Sequence, residues 1–139
     1  MSEIPTIIIN AYLETDYYVY STPPFILHVN IECERLAKLY KLYHTDSAAF
    51  ISACNPFSQN TSEAINTAKQ AELAGEIIRH GLTLFNGIGR HPASGWPEEP
   101  SFLALGLPLE TAKQLGQNYR QNAILWCGGD ATPKLILLR

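Results

Sequence analysis

A chain of 139 residues is the size of one domain, and 46% apolar against 17% charged residues supply a core that needs no staples. Its net charge of −3, with ten Lys and Arg scattered along the chain, excludes the basic face of a nucleic-acid binder or a membrane-surface protein. The longest apolar runs are four or five residues, far below the ~20 that span a bilayer.

The opening MSEIPTIII has no basic segment and no small-residue cleavage site, so no secretory leader is expected. Segment 5–13 then carries two signals. Pro5 suits a helix start and Ile8, Ala11 and Tyr12 share a helical face, whereas the β-branched run from Thr6 to Ile9 favours a strand. Helix is the expectation. Residues 17–20 and 25–29 predict two strands, separated by Ser21-Thr22-Pro23-Pro24, which neither a helix nor a central strand tolerates. A helix over 34–43 follows, with Leu36, Leu39, Tyr40 and Tyr43 as its apolar stripe. The apolar run 48–53 predicts a strand buried on both faces.

The next helix is the longest. Asn60 or Thr61 is its expected cap, with Glu63 in capping-box spacing from Asn60, and Gly81 closes it behind Arg79 and His80. Ala64, Ala68, Ala71, Ala74 and Ile78 recur every three or four residues, which predicts an alanine face packed on a sheet. Residues 82–85 predict a strand, 86–100 a loop rich in Gly and Pro, and 101–105 another strand. A helix over 109–119 precedes strands at 123–127 and 134–138, joined by a turn that starts at Gly128-Gly129-Asp130. The expected fold class is α+β over residues 1–139 as a single domain. It has about four helices on one layer of a mixed, largely antiparallel sheet of six to seven strands.

Four separated motifs stand in order: 48–59, AAFISACNPFSQ; His91-Pro92 through Gly95-Trp96-Pro97; Glu99 to Leu103; and Gln121 to Ile124. Together they resemble a bacterial domain-of-unknown-function family, number 3293, over nearly the whole chain from about Ala11. The resemblance implies a family and brings no activity, substrate or catalytic residue with it.

Candidate chemistry lies in two polar segments of an otherwise apolar chain. Residues 55–62, NPFSQNTS, run from a buried strand into a helix N-terminus. Unpaired N–H groups and the helix dipole gather there, and Asn55, Ser58, Gln59 and Ser62 add donors. The same residue types also serve simply as caps and turn formers. Without a Gly-rich loop or a Lys, a P-loop is excluded.

Residues 86–101 hold Arg90, His91, Trp96, Glu98, Glu99 and Ser101. Arg90 offers charge, Trp96 a stacking face, and His91 with Glu99 a pair able to move protons. Gly87-Ile88-Gly89 is a weak match to a dinucleotide loop, because Pro92 stands where the helix would open. The amides Gln117-Asn118 and Gln121-Asn122 at a helix end read chiefly as partners for backbone groups.

His28, His44, His80 and His91 are dispersed, so no metal is expected, and no cofactor is implied. Cys33, Cys54 and Cys127 are widely spaced without a CxxC, which fits a reducing cytosol and a cytoplasmic protein.

The sequence thus predicts a small-molecule site between 55–62 and 90–101 for a polar or anionic ligand, a nucleotide or metabolite, with no nucleic-acid or membrane partner. The competing expectation is a protein-interaction or regulatory module that presents Tyr12, Tyr17, Tyr18 and Tyr20 to a protein partner. Tyrosines buried beside an open cleft would favour the first, and flat exposed ones the second.

Overall fold

In the computed structural model, which describes residues 3–93 and 95–139, the ambiguous first segment is helix α1 (Thr6–Glu14). The Pro5 carbonyl accepts from the N–H of Ile8 and Ile9, and the Thr15 hydroxyl closes the helix on the Ala11 carbonyl. Tertiary contact wins over β-propensity, since Ala11 is buried while the strand-forming Ile7 lies in solvent. Strands β1 (Asp16–Val19) and β2 (Phe25–Leu27) follow, then α2 (Glu34–Tyr43) and β3 (Ala48–Ile51). After a 3-10 turn at Pro56–Ser58 come α3 (Glu63–Arg79), β4 (Leu84–Arg90), β5 (Glu99–Leu105), α4 (Leu109–Asn118), β6 (Ala123–Cys127) and β7 (Pro133–Leu137). Helix-two-strand-helix-strand-helix-two-strand-helix-two-strand is the predicted order of elements.

The seven strands form one sheet in the order β2-β1-β4-β5-β3-β6-β7, and every neighbouring pair is antiparallel. β3 sits between β5 and β6, and all four of its residues are buried, as the unbroken apolar run requires. Its alternation divides the core. Ala48 and Phe50 join Tyr17, Val19, Leu27, Leu103, Leu105 and Leu125 under Leu36 and Tyr40 of α2. Ala49 and Ile51 turn the other way, toward Leu73 and Ile77 of α3 and toward Ala112, Leu115 and Tyr119 of α4. One sheet layer therefore carries α2 on one face and α3 with α4 on the other.

Two local readings need correction. The loop expected over 86–100 is shorter, because β4 continues to Arg90 and β5 begins at Glu99. Register explains this: Asn86 to Gly89 pair with residues 99–102 on one side, and Gly87 to Arg90 with β1 on the other. Flanking strands compensate for the weak strand propensity of glycine.

The second correction concerns α3, whose cap is Ser62 rather than Asn60 or Thr61. The Ser62 hydroxyl accepts from the Ile65 N–H. Ala64, Ala68 and Ala71 are exposed, and the face laid on the sheet is Asn66, Gln70, Leu73 and Ile77, with Ala74 at its margin. Burial of two large apolar groups outweighs that of small alanines.

Candidate functional site

The α2 face of the sheet is not covered to its end. Tyr17 of β1 lies opposite Gly89 of β4, and Gly89 opposite Glu99 of β5, so the three stand in one row on one face. A side chain at Gly89 would grow between Tyr17 and Thr15, into the space they border. At Gly87 a Cβ would lie 2.4 Å from the Tyr18 carbonyl oxygen and 2.9 Å from the Phe50 ring. The missing side chain there lets Phe50 lie across β4 and meet Tyr17 edge-on at 5.2 Å.

Above this floor is a cavity of about 120 Å³. Phe50, Leu125 and Leu135 form its apolar base. Tyr12 of α1, Thr15 just after it, Ser58, Gln121 and Asn122 make one polar wall, and His91, Trp96, Pro97 and Glu99 make another. Both predicted polar segments thus reach the same space.

Of the residues singled out in the sequence, Ser58, His91, Trp96, Glu99 and Ser101 line this cavity. Asn55 does not. Its Oδ1 accepts from the Thr61 N–H and from Asn66 Nδ2 at 2.9 Å, holding the turn ahead of α3, and it borders a separate groove. Ser62 is the α3 cap, Gln59 is exposed, and the Arg90 guanidinium stands 3.9 Å from the Glu98 carboxylate, outside the cavity.

The carboxyl of Glu99 is the electrostatic centre. Burial pushes it up to about 7, and the hydrogen bond from the Ser52 hydroxyl offsets only part of that cost. Burial raises the Cys54 thiol and, more strongly, the Tyr17 phenol, so both of these neighbours stay un-ionised near neutrality. His91 stacks obliquely on Trp96 at 5.9 Å, with the Glu14 carboxylate 3.9 Å from its Nε2.

The facing wall is a network that sequence reasoning did not assemble. The Tyr12 and Ser58 hydroxyls share a short hydrogen bond, and Asn122 Nδ2 donates to both, at 3.1 Å and 3.0 Å. Arg139 donates to Asn122 Oδ1 at 3.0 Å and to Glu3, and lies over the Phe57 ring at 4.0 Å. The Tyr17 hydroxyl donates to the Tyr12 carbonyl, fixing the end of α1. Ser58 is presented by strained backbone: Asn55, Phe57 and Ser58 all have positive φ, at 47°, 55° and 61°. The available signal was a Gln121-Asn122 pair entering an apolar strand, where a buried amide must have partners.

Among the described residues no group of three or more His, Cys, Asp or Glu is placed to hold a metal ion, and the three cysteines are free thiols. No helix described is long and apolar enough to cross a membrane.

The family model described as "Protein of unknown function (DUF3293)" matches residues 51–124, a span that holds Ser58, His91, Trp96, Glu99 and Asn122. The chain belongs to that family. No curated protein and no solved structure matches it.

Proposed function

We propose that this member of the DUF3293 family binds a small polar molecule in the cavity between residues 55–62 and 90–101. The observation that carries the reading is one partly open cavity with an apolar base on which polar groups of both segments converge, a half-buried carboxyl among them. Its size speaks for a molecule of about six heavy atoms, since cavities near 150 Å³ accept benzene, and against a nucleotide. Among the described residues no Lys or Arg lines it, which favours an uncharged hydrogen-bonding ligand over an anion.

The tyrosines support the same reading. Tyr17 is buried and Tyr12 half-buried, and both border the cavity, while Tyr20 alone among the four is exposed. The aromatic surface a protein partner would need is thereby reduced.

A thermal-shift screen of small alcohols, amides and carbonyl compounds tests the proposal. A ligand at 100 times its Kd adds about 2.7 kcal/mol, a shift of several degrees at this size. The shift should shrink in Trp96→Ala, which opens one wall, and persist in Arg90→Ala, which lies outside. Silence across the panel, or equal loss in both variants, would count against the site.

A further inference from the structure

The two polar walls differ in kind. One presents a lone carboxyl, and the other presents hydroxyls whose hydrogen bonds can be counted. A guanidinium only donates, so the Asn122 atom that Arg139 holds is the carbonyl oxygen, and the amide NH₂ faces the hydroxyls. Its two protons go to the Tyr12 and Ser58 oxygens. The two hydroxyls carry two protons, and one fills the bond between them. Among the described residues one hydroxyl proton is left to donate, and Tyr12 and Ser58 both border the cavity. The Arg139 contact polarises the amide and strengthens the chain of donors behind that proton.

A single donor with cationic backing and a carboxyl, both bordering one cavity with an apolar floor, match one class of chemistry. We infer that the cavity catalyses proton transfer at the carbon next to the carbonyl of a small uncharged ketone or aldehyde, with Glu99 as base and the Tyr12–Ser58–Asn122 cluster holding the carbonyl oxygen. This rests on the binding reading above and gives it a substrate class.

The steps balance without a co-reactant. The Glu99 carboxylate takes a proton from the carbon, and the C–H electron pair becomes the C=C bond of the enolate. The C=O π pair moves onto oxygen, where the free hydroxyl proton and the amide behind it stabilise the developing charge. The Glu99 carboxylic acid then returns a proton to carbon, giving back the substrate or an isomer. A carboxyl that titrates near neutrality is matched to both halves of this cycle. Around it, Tyr17 on β1 and Cys54 after β3 remain un-ionised, while His91, with Glu14 of α1 behind it, faces the same space.

The test uses cyclopentanone, a six-heavy-atom ketone, incubated with the full chain in D₂O. Proton NMR follows loss of the signal beside the carbonyl, and saturation transfer on the same sample reports binding. Exchange should exceed the buffer rate and rise with pH through about 7. Glu99→Gln, of the same shape, should cut the protein-dependent rate at least about 100-fold and leave saturation transfer in place.

Binding with exchange no faster than buffer would overturn the catalytic inference and leave the binding site standing. Exchange that survives Glu99→Gln would overturn the role of Glu99. Absence of saturation transfer would overturn the carbonyl ligand class, while the thermal-shift screen decides the binding site independently.

Discussion

Glu99 ties the proposed chemistry to a cost in stability. Its carboxyl titrates at about 7 in the folded chain against an ordinary 4.5, so between those values the folded chain holds a proton that the unfolded chain has released. Stability therefore falls as pH rises from about 4.5 to about 7, and the whole penalty, up to about 3 kcal/mol, is present above 7. Glu99→Gln should be more stable than the parent at pH 8 and nearly equal to it at pH 4, as read by urea denaturation. Parallel profiles at the two pH values would mean the carboxyl is not buried as described. Gly87 carries a different constraint. Gly87→Ala sets a methyl 2.4 Å from the Tyr18 carbonyl oxygen, which only a shift of β1 against β4 can relieve. The expected loss is about 1–3 kcal/mol, measured in the same way. At this scale the sequence was a partial guide. Ser58, Trp96, Ser101, His91 and Glu99 were legible as polar or aromatic groups in apolar surroundings. Asn122 and Tyr12 were noticed only singly, an amide at a helix end and a member of a tyrosine surface, because their meeting is a hydrogen bond across 110 positions.

Among the elements, α3 shows best where local patterning misleads. Alanines at helical spacing mark a face but do not say whether it is the buried one. Leu73 and Ile77, on a different face, have more apolar surface to remove from water and so set the orientation of the helix. Leu73→Ala should cost about 2–5 kcal/mol in urea unfolding, while Ala68→Ser on the exposed side should stay within about 0.5 kcal/mol. Equal effects would return the alanine face to the core. Strong single signals were legible elsewhere: Leu36 and Tyr40 of the α2 stripe are buried, although Tyr43 is exposed, and β3 covers 48–51 of the apolar run expected over 48–53. β4 escaped in part, because Gly87 and Gly89 signal a loop unless strands on both sides supply the hydrogen bonds that hold them extended.

Across the whole molecule, the order of strands was beyond reach of patterning. Alternation identifies a strand and its buried faces, whereas neighbours depend on which distant segments bury each other. β3 pairs with β5 and β6 and with neither strand that precedes it, so both of its ladders join segments separated in sequence by α3 and β4. The cavity inherits that arrangement. Tyr12 comes from the first helix, Ser58 from the middle of the chain, Asn122 from the entry to β6, and Leu135 from the last strand. The lining runs from Tyr12 to Leu135, so no short fragment of the chain contains it. Fraying of α1 or of β7 alone would empty it, though each is peripheral to the sheet. A bound molecule would thus hold down both ends of the chain at once, because its binding free energy would be added to the opening of α1 and of β7 as well as to complete unfolding.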